Sequence, residues 1–345
     1  MRSILRCAIA CCAVVLFAGC AKKAPTAMAP VVGSFPWEVV PVRSGNCWFS
    51  DIEFSDADHG WVVGEAPSLS SPSTGVLYRT VNGGANWNIV HDDSGRVYHS
   101  CAFFNADTGF VVGGENMGPG IIWKTANGGT TLVQVHSESA NSFHKVQFIN
   151  RMVGWALGES RILKTSDGGA SWSLLPTEPE LFYPRALFSA SENDLYVVGS
   201  GWNGLGYLGH TINGGGTWDR LDIGPDTCNI HDITFSGDST IWIVASTTGH
   251  GVLYKSVNGG STWAEESNET INAFGANTVF FRSSSNGWIG GAALFETTDG
   301  GDTWVRGWYS VNMGINIRDF EMASNGLIWA CGSALEGVVV KGTLP

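Results

Sequence analysis

The polar side chains with a possible chemical role recur at one position of a repeated pattern. Seven short apolar segments each end in a large side chain, six in Phe and the last in Met322. Three residues before that side chain stand Asp51, Cys101, Lys145, Arg185, Asp232, Thr278 and Asp319. If the segments are strands set around one axis, these side chains form a ring of mixed charge. Such a ring can bind a peptide or a sugar, or it can be a solvated rim with local ion pairs.

Further polar and aromatic residues stand close to this ring in the sequence. His144, His231 and Arg318 lie one position earlier, and Trp202 and Tyr207 lie in an irregular segment that offers stacking surfaces. His144 and His231 fall in different repeats with no third ligand to accompany them, so no metal site is predicted. No cofactor is predicted either. The predicted ligand-binding residues are Asp51, His144, Lys145, Arg185, Trp202, Tyr207, His231, Asp232, Arg318 and Asp319.

Six related octamers define the scaffold that must position these residues. They begin at residues 80, 125, 165, 211, 256 and 297, as in TVNGGANW and TSDGGASW, with spacings of 45, 40, 46, 45 and 41 residues. That period suits one four-stranded blade of a β-propeller. In each octamer the third residue can hydrogen-bond nearby backbone, and the Gly pair supplies positive φ. We therefore assign a structural role to Asn82, Asn127, Asp167, Asn213, Asn258 and Asp299.

The other strands repeat with the octamers and predict an all-β fold. Each octamer follows an apolar strand such as VLYRT, and before that come a strand such as GWVVG and an inner strand ending in Phe. Residues 315–343 supply three strands with no octamer, and Trp37 opens a lone strand at the other end. Pairing of these two fragments completes a seventh blade and removes an exposed edge. We predict a seven-bladed β-propeller over residues 37–345, closed by the N-terminal strand.

The N-terminus has the pattern of an export signal with a lipidation site. Arg2 and Arg6 precede an apolar run from Cys7 to Ala18, which is too short to span a bilayer. The run ends in Leu-Phe-Ala-Gly-Cys, which resembles a bacterial lipobox with Cys20 as the acceptor. We predict a lipoprotein signal peptide over 1–19, a lipidated Cys and flexible tether over 20–36, and export to the cell envelope, in diderm bacteria to the outer membrane. An ordinary secretory signal is the alternative.

Charge and cysteine content exclude some classes of function. Without residues 1–19 the chain has 17 Lys and Arg against 31 Asp and Glu, a net charge of −14. An acidic chain is a poor nucleic-acid binder, so no nucleic-acid partner is predicted. Cys47, Cys101, Cys228 and Cys331 show neither a CxxC pair nor metal spacing. They are predicted to be buried small side chains, and a disulfide after export stays open.

The octamers, taken with the GWVVG-type strands, resemble the photosystem II stability and assembly factor family of propellers from Trp37 to Thr343. The octamers alone resemble the Asp boxes of bacterial neuraminidase repeats and sortilin-type receptors. The first resemblance implies a scaffold that holds another protein during assembly, without chemistry of its own, and its cyanobacterial members are also lipoproteins. The fold is expected to transfer to this chain, but the photosystem client is not.

Three functions are compatible with these sequence features. The leading prediction is a non-catalytic protein-binding and assembly scaffold of the bacterial cell envelope, held at the membrane by its lipid. A carbohydrate-binding surface lipoprotein is the first alternative and depends on the aromatic loop around Trp202. A sialidase-like glycoside hydrolase is the second, but it needs an Arg triad, a Tyr with a Glu partner and an acid such as Asp. Arg185 and Arg318 could approach the channel, and a third inward Arg is not evident.

Overall fold

A computed structural model describes most of the chain after residue 35. The predicted signal peptide, the predicted lipidation site at Cys20 and most of the tether lie outside the described residues, as does Cys228. In the described part, no helix is long and apolar enough to cross a membrane. The described residues are 36–42, 47–66, 73–115, 118–139, 142–176, 181–224, 229–247, 250–266, 271–272, 275–308, 316–333 and 337–342.

Twenty-eight β-strands are found in the described residues, and they group into four-stranded antiparallel units, six of consecutive strands and one that combines the two ends of the chain. Five units are separate sheets. One contains β6 (Arg96–Phe103), β7 (Gly109–Glu115), β8 (Gly120–Thr125) and β9 (Val133–Glu138). The next contains β10 (Phe143–Phe148), β11 (Gly154–Gly158), β12 (Arg161–Thr165) and β13 (Ser173–Leu174). The third sheet contains β14 (Leu181–Ser189), β15 (Leu195–Gly201), β16 (Gly206–Thr211) and β17 (Asp219–Arg220). The fourth contains β18 (Asn229–Phe235), β19 (Ile241–Ser246), β20 (Gly251–Ser256) and β21 (Ala264–Glu265). The fifth contains β22 (Ala276–Phe281), β23 (Gly287–Gly291), β24 (Leu294–Thr297) and β25 (Val305–Trp308).

The remaining eight strands form one sheet that joins the two ends of the chain. One half contains β2 (Trp48–Phe54), β3 (Gly60–Ala66), β4 (Thr74–Thr80) and β5 (Asn88–Ser94). The other half contains β26 (Asn316–Met322), β27 (Ile328–Ser333), β28 (Val338–Gly342) and β1 (Trp37–Pro41). A single residue pair, Trp48 with Ser333, connects the halves. β1 pairs antiparallel with β28 from Trp37–Gly342 to Pro41–Val338, which is the pairing that the sequence predicts.

Apolar cores lie between neighbouring units, because the second strand of a unit is buried on both of its faces. β3, β11 and β23 have no exposed position within their GW-type motifs. Trp61 of β3 stacks on Phe103 of the next unit, with ring centroids 3.7 Å apart. The same core arrangement joins the last unit to the first, where Trp329 stacks on Phe54. The all-β fold of four-stranded units is confirmed, and the number of blades stays a prediction because one sheet contains two units.

The octamers form tight turns between the third and fourth strands of their units. The Oδ1 atom of Asn82 accepts hydrogen bonds from Thr80 Oγ1 at 2.9 Å and from the Asn86 amide at 3.0 Å. Gly84 has a φ of 78°, and a Cβ atom there would overlap Trp329 of the last unit. The turn therefore needs Gly for both its backbone conformation and its packing. The equivalent side-chain oxygens of the other octamers accept the same two hydrogen bonds, at Asn127, Asp167, Asn213, Asn258 and Asp299.

Strand register divides each unit into two ends. In the first unit Phe54 pairs with Gly60, and Gly60 pairs with Thr80, so the end of the inner strand and the octamer lie together. Trp48 pairs with Glu65 at the opposite end, where the loop between the second and third strands also lies. This second end is therefore the one opposite the octamer turns.

Candidate functional site

Every inner strand has a β-bulge near its start, and β14 has a second one at Arg185. At each bulge one residue is left out of the pairing with the second strand, as between Phe49 and Asp51 in β2. A bulge bends the strand and redirects the side chain of the extra residue. The bulged residues of the seven inner strands are Ser50, His99, His144, Arg185, His231, Asn277 and Arg318.

These bulged residues line one pocket, which we call the mouth pocket. It has a volume of about 420 Å³ and lies at the end of the units opposite the octamers. Tyr183, Pro184 and Asn316 complete its lining. The bulges therefore convert one position of a repeated strand into a single ring of polar side chains. The structure brings four of the predicted residues together here: His144, Arg185, His231 and Arg318.

The mouth pocket combines two arginines with three histidines that are neutral at pH 7. Arg185 and Arg318 are exposed. Burial and the positive charge of neighbouring groups lower the pKa of His99 to about 3 and that of His231 to about 4. Burial also lowers the pKa of His144, in spite of Glu159 nearby. A neutral imidazole can donate one hydrogen bond and accept another, so this ring offers donors without much added charge.

A second ring lies directly below the mouth pocket and is centred on Lys145. The Nζ atom of Lys145 is 2.6 Å from Asp51 Oδ1 and 3.9 Å from Asp319 Oδ2. Asp51 Oδ2 also accepts hydrogen bonds from Ser100 Oγ at 2.9 Å and from the Cys101 amide at 2.8 Å. Burial opposes the ionisation of Asp51, but the charge of Lys145 and hydrogen bonds with Asp319, Lys145 and the Cys101 amide outweigh it and hold the pKa of Asp51 below its ordinary value.

The three aspartates of this second ring connect neighbouring units. Asp232 Oδ2 accepts hydrogen bonds from Thr278 Oγ1 at 2.8 Å and from the Val279 amide at 3.0 Å. Asp319 Oδ2 accepts a hydrogen bond from the Ile52 amide at 3.2 Å, so the last unit is linked to the first. Burial raises the pKa of both Asp232 and Asp319. Asp51, Lys145, Asp232 and Asp319 were predicted as ligand-binding residues, and in the structure they bind one another or the backbone.

For two strands, the residue predicted to belong to the ring of mixed charge is one position away from the residue that the structure places there. Phe103, not Phe104, pairs with Gly109 at the end of its strand, so Ser100 and not Cys101 occupies the ring. β14 continues to Ser189, which places Ala186 in the ring and Arg185 at the bulge above it. The sequence could not resolve the first case, because two phenylalanines are adjacent there.

The predicted aromatic loop is shorter than expected. Trp202 follows β15 and is 65% exposed, at the same end of the units as the mouth pocket. Tyr207 belongs to β16 and is only 1% exposed, in the apolar core that also contains Trp155 and Trp218. The prediction that Tyr207 offers a ligand surface is therefore wrong, because its ring is used in packing.

A second, smaller cavity lies on the octamer side of Lys145. It has a volume of about 240 Å³ and contains the carboxyl groups of Glu53 and Glu321 with the amide of Gln147. Burial, together with the nearby charge of Asp51, raises the pKa of Glu53 to about 8. Burial and the nearby charge of Glu53 also raise the pKa of Glu321. The sequence did not point to this layer, although each of these residues stands two positions after a member of the second ring.

A sequence model of the family described as photosynthesis system II assembly factor YCF48 matches residues 29–140 and 131–277. These two matches together cover most of the chain. The chain belongs to this family. No curated protein matches it significantly by sequence.

Solved structures of the family are similar to this chain over nearly its whole length. A structure of YCF48 bound to D1 peptide has a TM-score of 0.70 at 20% identity and covers 92% of this chain and 99% of its own. YCF48 from Cyanidioschyzon merolae has a TM-score of 0.64 at 18% identity, covering 88% and 98%. A GH74 enzyme from Niastella koreensis has a TM-score of 0.60 at 17% identity, covering 84% of this chain and 51% of its own. At these identities the likeness supports the propeller fold alone.

The metal-binding and thiol chemistry of this chain depends on its own residues. In the described ranges no group of three His, Cys, Asp or Glu side chains could hold a metal ion. Cys101 and Cys331 are buried free thiols, and the side chain of Cys47 is buried as well. Burial, with the charges of Asp51 and Glu53 next, raises the pKa of the Cys101 thiol. A disulfide that involves Cys228 stays untested.

Proposed function

We propose that this chain is a binding scaffold that holds a protein client against the end that contains the mouth pocket. The observation that carries this proposal is the ring of bulged residues, which gathers polar side chains from every inner strand into one open pocket. Membership of the YCF48 family supports a client-binding role. The related structure with a bound D1 peptide supports a peptide as the kind of client.

We also propose that the scaffold is a closed propeller of seven blades. The eight-stranded sheet then contains two blades, since only the pair Trp48–Ser333 joins its halves. The apolar core between Trp329 and Phe54 supports closure, as does the hydrogen bond from the Ile52 amide to Asp319. A closed ring leaves no exposed sheet edge at the ends of the chain.

The proposed location is the bacterial cell envelope, with the lipid on Cys20 as the anchor. The support is the basic, apolar and lipobox pattern of residues 1–20. Metabolic labelling with a palmitate analogue tests it. We expect label in the native protein and none in Cys20→Ser, whereas label in both would contradict lipidation at this residue.

Site-specific photo-cross-linking in native envelopes tests the client-binding role. A photoreactive amino acid at Trp202 lies on the proposed binding end, and one at Val133 lies on the outer strand β9, where that residue is also exposed. We expect one defined protein to be captured from position 202 and not from position 133. Equal capture at both positions, or capture of abundant proteins only, would contradict the proposal.

A second candidate is a sialidase-like hydrolase, and one observation favours it. Tyr183 lies in the mouth pocket with Arg185 and Arg318, and its side chain is hydrogen-bonded to Glu159. A Tyr with a Glu partner is the nucleophile of sialidases, where arginines hold the substrate carboxylate. No carboxylate lines the described mouth pocket to act as the acid. Turnover of a fluorogenic sialoside that is lost in Tyr183→Phe would favour the hydrolase over the scaffold.

A third candidate is carbohydrate binding without catalysis. The exposed ring of Trp202 and the neighbouring exposed Leu205 lie on one hairpin at the binding end and favour it. A glycan-array signal that is abolished by Trp202→Ala and kept in Trp202→Phe would support stacking on a sugar. An unchanged signal in Trp202→Ala would exclude this hairpin as the contact.

A further inference from the structure

The two arginines of the mouth pocket lack acidic partners. Arg185 in β14 and Arg318 in β26 are both exposed, and neither forms an ion pair with a carboxylate in the described part of the chain. Partial burial lowers the pKa of Arg185, Tyr183 offsets part of this effect, and the positive charge of Arg318 adds to it. The two like charges therefore face one pocket without a paired carboxylate. An anion placed there would be attracted by both.

The histidines around these arginines also have unused capacity for hydrogen bonds. The Nε2 atom of His144 is buried and has no hydrogen-bond partner. The His99 ring lies 5.1 Å from the His144 ring, centroid to centroid, and His231 Nε2 is 3.3 Å from Ser246 Oγ. A buried polar atom without a partner is costly in a folded protein unless a ligand or water satisfies it.

We propose that the mouth pocket binds an oxyanion, that is a carboxylate, sulfate or phosphate group, through Arg185 and Arg318 with His144 and His99 beside them. This site goes beyond the proposed client-binding function, because a free small anion can occupy it without any protein partner. Guanidinium groups form paired hydrogen bonds with such oxygens, and imidazole donors supply further ones.

The acidic groups near the pocket do not oppose this assignment. Asp51 is neutralised by Lys145, and Asp232 and Asp319 accept hydrogen bonds from neighbouring units one layer below. Glu159 is engaged with the side chain of Tyr183. The charged and titratable groups at the pocket are thus Arg185, Arg318, Tyr183, Glu159 and the three histidines, with Asp51, Lys145, Asp232 and Asp319 below.

Binding of a doubly charged anion should change the number of protons that the protein holds, and this change can be measured. Burial and nearby positive charge keep His99 and His231 neutral in the empty pocket. A bound anion within about 5 Å opposes both effects and raises the pKa of the neighbouring imidazoles, although burial persists. We therefore expect sulfate binding to be accompanied by proton uptake at pH 5.5, and by less uptake at pH 7.5.

Isothermal titration calorimetry of the purified protein with sodium sulfate tests the site. Sulfate does not titrate at pH 5.5, so buffers with different ionisation enthalpies report protons taken up by the protein. At low ionic strength we expect a Kd of about 1 mM or tighter. Arg185→Ala and Arg318→Ala should each weaken binding about tenfold, because each removes a charge-assisted contact. Arg185→Lys should keep the charge and lose less.

Arg151→Ala is the matched control, because it removes the same charge from an exposed residue at the octamer end. It should leave sulfate affinity within about twofold of the native protein. Both pocket arginines are exposed, so their variants are expected to melt at the native temperature. Titrations with succinate and with sulfate at pH 7, where both are dianions, then show whether the pocket prefers carboxylates to tetrahedral anions.

Three results would overturn the proposal. These are no heat of binding for either anion at about 20 mM, equal affinity in the native protein and the double Arg185→Ala/Arg318→Ala variant, or the same loss in Arg151→Ala as in Arg185→Ala. The outcome of the sulfate titration does not depend on a protein client. The cross-linking experiment at Trp202 therefore judges the scaffold function separately.

Discussion

Loss of Lys145 is predicted to weaken the contact between the inner strands β2 and β10 of two different units, and Lys145→Met tests this. The substitution removes the ammonium group 2.6 Å from the carboxylate of Asp51, whose side chain is only 4% exposed. Loss of one partner of a buried ion pair costs about 3–5 kcal/mol. Because the Lys145 side chain is 32% exposed, solvent screens part of the interaction, and we expect a loss of about 2–3 kcal/mol.

The pH dependence of the free energy of unfolding tests the same ion pair independently. In the native protein the pKa of Asp51 is lowered, so its stabilising contribution is present at neutral pH and is lost as pH falls through the folded pKa. In Lys145→Met the cation is gone, so burial, the largest influence on Asp51, is opposed only by its remaining hydrogen bonds and the pKa of Asp51 rises. The variant therefore regains stability when Asp51 becomes protonated, and its deficit should shrink as pH falls from 7 toward 5.

Urea unfolding followed by tryptophan fluorescence at pH 7 and pH 5 measures both effects. Lys341→Met is the control, because Lys341 pairs with Glu38 at 3.6 Å and the Glu38 side chain is 70% exposed. It should cost less than about 1 kcal/mol. Addition of Asp51→Asn to Lys145→Met should restore part of the loss. Equal costs for the two lysines at pH 7, or a Lys145→Met deficit that grows toward pH 5, would refute the reasoning.

Three further predictions concern packing, ionisation and thiol access. Gly84→Ala should cost at least about 2 kcal/mol of stability by thermal melting, because it combines a φ of 78° with overlap on Trp329. Gly95→Ala is the control and should cost about 1 kcal/mol, because Gly95 has a φ of 84° but open space around it. Equal costs for the two variants would contradict the packing role of Gly84. The pKa of Glu53 is raised to about 8, so its ionisation lowers the stability of the folded protein progressively between pH 4.5 and 8. Urea unfolding should therefore show a smaller loss of stability between pH 6 and pH 8.5 in Glu53→Gln than in the native protein. An unchanged loss would exclude Glu53 as its source. Cys101 and Cys331 are buried with raised pKa values, so maleimide labelling followed by peptide mass spectrometry should find them protected in the folded protein and labelled in urea; fast labelling without urea would mean that the units open.

The repeat pattern was sufficient to predict the strands and the turn residues. Each octamer contains its own hydrogen-bonding side chain and Gly pair, so the turn at Asn82 follows from local sequence. The pairing of β1 with β28 followed from counting incomplete units. Such features depend on neighbours in the chain or on a missing strand, and both are visible in one sequence.

The candidate site was less predictable because it depends on single-residue register. A bulge has no fixed sequence signature, so His99 was overlooked while His144 and His231 were found. A shift of one residue moved Arg185 from the lower ring to the mouth pocket. The side chain of Lys145 crosses to Asp51, 94 residues away, and no local pattern indicates that contact.

The pairing of β1 with β28 also has consequences for how the protein reaches its native state. Trp37 and Gly342 are partners although 304 residues separate them along the chain. Contacts between such distant segments form late, because the chain must first be brought together over a long loop. Units in the middle can assemble as they are synthesised, but the first strand must wait for the last one. A ribosome that stalls late would leave a string of nearly complete units whose two ends are both unpaired, and such ends can pair with the wrong molecule.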